Sequence, residues 1–457
     1  MGYEELTLPE DLVNRLKEQL GTEFQAFQQA MDESAPVSIR NNPLKPIDQF
    51  QNNDRVPWAT HGRYLATRPR FTDDPLFHAG AYYVQEASSM FLEQVMQEVV
   101  NLDKDIRVLD LSAAPGGKST HLQSLLTRNS LLVANEVIAS RNKVLCQILS
   151  RWGGDNHMVT RSDPKHFHKL ANFFDVILVD APCSGEGLIR KDPAAIQTWS
   201  VHHVAMCARR QKRILADVLP ALAPGGVLIY STCTFSEIEN EANLEWLVHQ
   251  YGLEPLSIPF SDEWGIISSG PQQSGYRFYP HHTRGEGFFI AALRKANTPQ
   301  SRFRKPGKHP HGTGTPTPVD RTWLTDPDRY TYVTRNEHRI AIPTSLYTDY
   351  LQISQALRLT SSGLYLGKVY QEVLKPSPEL ALSQALSSAA PTIELDRVAA
   401  LDFLAHQLST RGHDYPPGYQ LATYQGFGLG WLHVLRTGQV RNKYPSAWRI
   451  LHRHGNS

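Results

Sequence analysis

The sequence predicts a doubly wound α/β fold with a parallel sheet at its centre. Between residues 101 and 296, short apolar runs alternate with stretches of helical length, and these runs lead into loops rich in acids, glycine or cysteine. The chain has 457 residues, enough for about three domains at roughly 150 residues each.

Residues 107–111 read as the first strand and 119–126 as the first helix. Residues 131–135 form a second strand. Residues 140–152 form an amphipathic helix with Leu145, Ile148, Leu149 and Trp152 on one face. Strands are expected at 158–160, 175–179 and 226–230, with a helix over 203–221 between the last two. Ser236 and Glu239 have the spacing of a capping box for a helix reaching His249. In such a sheet ligands bind at the carboxyl ends of the strands.

The flanks read differently. Residues 1–100 form a mixed N-terminal region with a helical pattern over 9–20. Residues 297–319 contain five prolines, three glycines, Arg302, Arg304, Lys305 and Lys308, and no acid, which describes a flexible basic linker. Residues 320–457 form a C-terminal mixed α/β region. Its last 43 residues lack Asp and Glu and carry Arg436, Arg441, Lys443, Arg449 and Arg453, with Tyr444 and Trp448 between them. Basic residues interleaved with aromatics suit phosphate contacts plus base stacking.

Composition narrows the classes. Hydrophobic residues at 41% and charged residues at 20% exclude a largely disordered or collagen-like chain. No apolar run approaches the ~18 residues of a membrane helix, and the start, MGYEELTLPE, lacks the order of a signal peptide. A cytoplasmic monomer without membrane contact is expected. The four cysteines include no C-x-x-C pair, which argues against a structural zinc site. His202-His203, His281-His282 and His309-x-His311 lack partner ligands at convincing spacing, so they read as surface or RNA-contacting histidines, and no metal is expected.

The loop Ala113, Ala114, Pro115, Gly116, Gly117, Lys118 is glycine-rich but is neither a P-loop, which needs glycine where Ser112 stands, nor G-x-G-x-x-G. Glu136 ends the second strand, where a carboxylate can accept both hydroxyls of a ribose. Asp163 follows the third strand and could meet an adenine amino group, and Asp180 follows the fourth and could hold an ammonium. Ribose, adenine and α-ammonium together describe S-adenosyl-L-methionine. Cys183 and Cys233 lie in polar loops after two apolar strands; if those strands are neighbours, both thiols face one crevice. A thiolate beside a methyl donor can add to carbon 6 of cytosine and make carbon 5 nucleophilic. Cys146 and Cys207, within helices, fit small buried hydrophobes.

The stretches LDLSAAPGGKST, DVILVDAPCSGEGLIRKDP and LIYSTCTFSEIENE resemble the core motifs of Sun-type RNA cytosine-5 methyltransferases. Residues 38–43 resemble that family's N-terminal R-x-N motif, and residues 78–90 the motif before its catalytic core. Length, Arg190-Lys191-Asp192-Pro193 and the C-terminal extension look most like the bacterial RsmF-type branch, which acts on 16S ribosomal RNA. The resemblance implies a Rossmann-like methyltransferase core at 101–296, an RNA-binding region at 1–100, and a C-terminal RNA-binding region that is PUA-like towards its end. It implies Cys233 as nucleophile, Cys183 as the thiol assisting release, Asp180 contacting cofactor and base, and Lys118 near both. The cofactor site would comprise residues 113–118, Glu136, Asp163 and Asp180, with Arg141 a further neighbour. The partner would be ribosomal RNA or the small ribosomal subunit. The same chemistry on transfer RNA, and a non-catalytic RNA-binding assembly factor, are the alternatives; the intact cysteines, Asp180 and glycine loop argue against the latter.

Overall fold

The computed structural model describes residues 8–297, 313–314, 317–371, 373–408 and 415–451. Arg302, Arg304, Lys305 and Lys308 of the basic linker, His309, His311 and Arg453 lie outside the described residues.

The N-terminal region begins with α1 (Glu10–Leu20) and α2 (Phe24–Asp32). An antiparallel sheet follows, with β1 (Val37–Asn41) between β2 (Gly62–Leu65) and β3 (Tyr82–Val84). After α3 (Pro75–His78) and α4 (Leu92–Val99) the chain enters a ten-stranded sheet. Its parallel centre consists of β4 (Arg107–Asp110), β5 (Leu131–Asn135), β6 (His157–Thr160), β7 (Phe174–Asp180) and β8 (Leu222–Thr232). Helices α5 (Gly117–Leu125), α6 (Ala139–Trp152) and α7 (Val201–Val218) connect them, and α8 (Glu241–Tyr251) leads out. The short strands β9 (Glu254–Leu256), β10 (Ile267–Ser269) and β11 (Gly275–Phe278) precede β12 (Phe288–Arg294), which pairs antiparallel with β8.

The spatial order β6-β5-β4-β7-β8 makes the sheet doubly wound. The chain winds outward from β4 to β6, then returns to the other side of β4, so the order reverses between β4 and β7 and a crevice opens above their ends. Both faces are covered. Leu109, Ile177 and Val179 point into one apolar cluster, Val108, Val176 and Leu178 into the other. Alternation along strands buried on both sides explains why each reads as a continuous apolar run.

Two readings are corrected. Ser236 and Glu239 form no capping box: α8 starts at Glu241 with Asn240 as N-cap and no side-chain cap, and the Glu239 carboxylate bonds Ser184 and Gln211 instead. Tyr444 is no stacking platform. It is buried against Phe403, its ring centroids 5.6 Å away, because the basic strand before it turns this ring into the C-terminal core.

The C-terminal region folds around a five-stranded and a four-stranded sheet. It also extends the central sheet. Leu359–Ser362 pairs antiparallel with β6, and Val333, Ile342, Tyr350 and Ile353 join the apolar cluster under β4 and β7. The strand Leu359-Thr360-Ser361-Ser362 is too polar to announce itself.

Candidate active site

The crevice is floored by the loop after β4. Gly116 adopts φ 122, a region that disfavours side chains, and an added Cβ would lie 2.9 Å from Ile148. Gly117 opens α5, and its added Cβ would meet Tyr83 at 3.0 Å. The loop is held in place by Ala113 N–H donating to Asn135 O at 2.8 Å and by Arg141 Nη2 donating to Ala114 O at 2.7 Å. Asn135, which the sequence reading missed, staples the neighbouring strand ends: its Nδ2 donates to Leu111 O and Ser162 O, and its Oδ1 accepts from Thr160 Oγ1 and Ser162 N–H.

Asp110 lies beneath this loop, fully buried. Ser119 Oγ donates to one of its carboxylate oxygens at 2.6 Å, while the other finds no partner among the described residues. Burial pushes its pKa up to about 7. Asp180, at the end of β7, accepts from Ser231 Oγ at 2.8 Å and pairs with Lys118 Nζ at 2.9 Å. Burial works against the Lys118 ammonium, yet Asp180 first, then Cys233 and Asp110, hold its pKa above the ordinary lysine value. One cavity is lined by Asp110, Asp180 and the 113–118 loop except Gly116, together with Tyr83, Gln85 and Glu86 from the N-terminal region.

Glu136 and Asp163 stand at the ends of β5 and β6, as expected, but do not line that cavity. Glu136 is buried, accepts from Ile138 N–H at 2.8 Å and pairs with Arg141 at 3.3 Å. Asp163 is exposed and caps the turn Pro164–Leu170 through Lys165 N–H at 3.1 Å. Both acids thus also serve local turns.

The two cysteines meet. Asp180 and Ser231 are register partners on the adjacent parallel strands β7 and β8, so the loops beyond them run side by side. Cys183 Sγ lies 3.2 Å from Cys233 Sγ and accepts from the Cys233 N–H at 3.4 Å. The hydrogen bond to Cys233 and burial, in that order, push the Cys183 thiol well above the ordinary cysteine value. Cys207 is buried, as expected of a small hydrophobe.

Two buried acids brace this pair; the sequence reading took Glu239 for a capping residue and gave Glu186 no role. Glu239 accepts from Ser184 Oγ at 2.5 Å, Ser184 N–H at 3.0 Å and Gln211 Nε2 at 2.8 Å, tying the Cys183 loop to the segment after Cys233. Glu186 accepts from Arg15 at 2.6 Å, Trp199 Nε1 at 2.9 Å and Phe235 N–H at 3.1 Å, joining α1 to the same two loops. A carboxylate with three donors fixes its neighbours more firmly than apolar contact does.

Three family models match the chain. Residues 97–294 match one described as 16S rRNA methyltransferase RsmB/F, residues 8–87 the N-terminal domain of 16S rRNA methyltransferase RsmF, and residues 390–450 the methyltransferase RsmF PUA domain. The ribosomal RNA small subunit methyltransferase F of Aeromonas salmonicida is 32% identical over 419 residues, covering 86% of this chain and 87% of its own. That of an Enterobacter species is 30% identical over 482 residues, covering 97% and 96%. Among solved structures, a methyltransferase homolog protein from Pyrococcus horikoshii is similar with TM-score 0.55 and 31% identity, over 64% of this chain and 96% of its own. The structure of NSun6 from the same organism with SFG has TM-score 0.53, 22% identity and coverage of 64% and 99%, which supports the shared fold.

Proposed function

The chain belongs to the RsmF family of 16S ribosomal RNA methyltransferases, and from that premise we propose that it methylates carbon 5 of a cytosine in 16S ribosomal RNA, with S-adenosyl-L-methionine as donor and Cys233 as nucleophile. The observation that carries this reading is the pair of sulfurs 3.2 Å apart at the ends of adjacent strands, beside the Asp180–Lys118 pair.

Carbon 5 of cytosine is a poor nucleophile. The Cys233 thiolate adds to carbon 6, and the electron pair moves to carbon 5. S-adenosyl-L-methionine supplies the electrophilic methyl group at this step. Carbon 5 then carries both a methyl and a proton. Loss of the proton to a base reforms the 5,6 double bond and expels Cys233 as thiolate. Cys183 assists this release. Its raised thiol pKa keeps a proton on Cys183, available to the Cys233 sulfur 3.2 Å away.

The proposed cofactor contacts are the 113–118 loop, Glu136 for the ribose hydroxyls, Asp163 for the adenine amino group, and Asp180 for the α-ammonium and the target base. The tight Gly116–Gly117 turn and the Asp110 oxygen beneath it, without a partner among the described residues, suit a ligand that meets backbone closely. Lys118 orients the Asp180 carboxylate through their ion pair at 2.9 Å. Residues 1–100 and 320–457 are proposed as RNA-binding flanks around a catalytic domain at 101–296, working in the cytoplasm on ribosomal RNA or the small subunit.

The test is Cys183→Ala expressed in a bacterial host. A covalent protein–RNA adduct should accumulate as a slow, nuclease-sensitive band on a denaturing gel, its RNA should sequence as 16S, and adding Cys233→Ala should abolish it. An adduct with transfer RNA would overturn the substrate. No adduct from folded, cofactor-binding protein incubated with RNA of its own source would overturn the two-thiol mechanism.

A further inference from the structure

His281 and His282 have no part in the chemistry above, and the sequence offered them no partner ligand. The fold supplies one from 259 positions away. Glu23, in the turn Gly21–Glu23 between α1 and α2, reaches the segment that follows β11. Its Oε2 lies 3.1 Å from His282 Nε2 and 3.5 Å from His281 Nε2.

His281 is the unusual member. Its side chain is only 4% exposed, and neither ring nitrogen is hydrogen-bonded among the described residues. A buried imidazole with both nitrogens unsatisfied calls for a partner. Its ring sits 4.1 Å from that of His282, centroid to centroid. Two imidazoles and a carboxylate converging this closely form a ligand set.

The geometry fits one ion. Bonds of about 2.0–2.1 Å in a tetrahedral site place ligand atoms about 3.3 Å apart. The two measured separations bracket that spacing, and all three ligand atoms lie within 4.8 Å of one another. Nitrogen and carboxylate donors in this number suit zinc, with water completing the set. We propose that Glu23, His281 and His282 form a zinc(II) site that fastens the α1–α2 corner to the segment between β11 and β12.

The position gives the ion a structural task. Phe27 of α2 packs edge-on against His281 at 5.7 Å and against Phe235 at 5.2 Å. Phe235 stands two residues beyond Cys233. Zinc at this corner would hold the helical hairpin against the back of the cysteine loop without touching the reacting atoms.

The test uses the full chain, stripped with chelator and titrated with zinc by calorimetry and with cobalt(II) by visible absorption. One equivalent should bind with a tetrahedral cobalt spectrum, and zinc should raise the melting midpoint. Glu23→Gln and His282→Asn, both at partly exposed side chains that tolerate substitution, should each weaken binding at least about tenfold and remove the midpoint shift. The same titration on Cys183→Ser/Cys233→Ser protein should be unchanged. Absence of saturable binding overturns the site. So does binding that survives both substitutions, or a sulfur-to-cobalt charge-transfer band that disappears with the cysteines.

Discussion

The seam between the N-terminal region and the catalytic sheet and the face of the C-terminal region are both rich in cations, and they use them in opposite ways. At the seam, Arg40 is fully buried. It donates to Gln85 Oε1 at 2.9 Å, Thr120 Oγ1 at 2.7 Å and Gly117 O at 3.2 Å, and lies 4.5 Å over the Trp152 ring. Lys45 is buried too, its Nζ donating to Ala79 O at 2.7 Å, Arg151 O at 2.6 Å and Leu382 O at 2.9 Å. Burial pulls Arg40 down to about 9 and Lys45 down to about 7. On the C-terminal face Arg436, Arg441, Lys443 and Arg449 are exposed. A cation ringed by carbonyls is part of the scaffold, and one facing water is available to a polyanion. Residue type alone distinguishes neither.

The largest effect expected from this contrast is at Lys45. Lys45→Ala leaves three buried carbonyls from three regions of the chain without a donor and should cost about 4 kcal/mol of unfolding free energy in urea melts. Its RNA affinity, measured on folded protein, should stay within about twofold. The seam should also be acid-sensitive. His121 is buried, meets Glu93 Oε2 at 3.0 Å through Nε2, and burial lowers its pKa to about 4. Between about pH 6.5 and pH 4 the unfolded chain binds a proton there that the folded chain refuses, so stability falls as pH falls across that window. His121→Gln should shrink this fall by up to roughly 3 kcal/mol, as read from urea midpoints at a series of pH values. Arg40→Lys should cost about 1–2 kcal/mol, since one ammonium cannot serve the guanidinium's spread of partners. A smaller loss there than in a surface Arg→Lys control would break the comparison.

What the sequence made legible follows the same division. The strands of the parallel centre were readable because burial on both faces writes apolarity into consecutive positions. The meeting of Cys183 and Cys233 was readable because each ends such a strand in a polar loop. Glu239 was misread, since S-x-x-E is a local pattern and its actual partners, Ser184 and Gln211, are 55 and 28 positions away. Tyr444 was misread because interleaving along a strand does not reveal which face the ring takes. Lys45 and Asn135 were invisible for a further reason, and Arg40, visible only as part of the resembled R-x-N motif, gave no sign of its buried partners. Buried polar residues that serve backbone carbonyls depend on where distant segments stop, and no short-range periodicity encodes that. The strand Leu359–Ser362 joined the central sheet through backbone pairing, with little apolar signal to predict it.

The last prediction is the smallest in stability and probes the other side of the contrast. Arg436, Arg441 and Lys443 are exposed and lie on or beside the strands Phe427–Val434 and Val440–Asn442, which pair with each other. Replacing all three with Ala removes no buried partner, so the unfolding free energy should change by no more than about 0.5 kcal/mol. RNA binding should respond instead. Each lost phosphate contact releases one fewer set of counterions, so the slope of log affinity against log salt should become shallower by about 2 for three contacts, and the loss of affinity should be largest at low salt. Phosphate contacts carry no sequence information, so the loss should be similar on 16S fragments and unrelated RNA. An unchanged slope would mean that these cations face only water and that the polyanion docks elsewhere. A slope that changes while Lys45→Ala leaves it alone would establish that one surface binds and the other seam only holds.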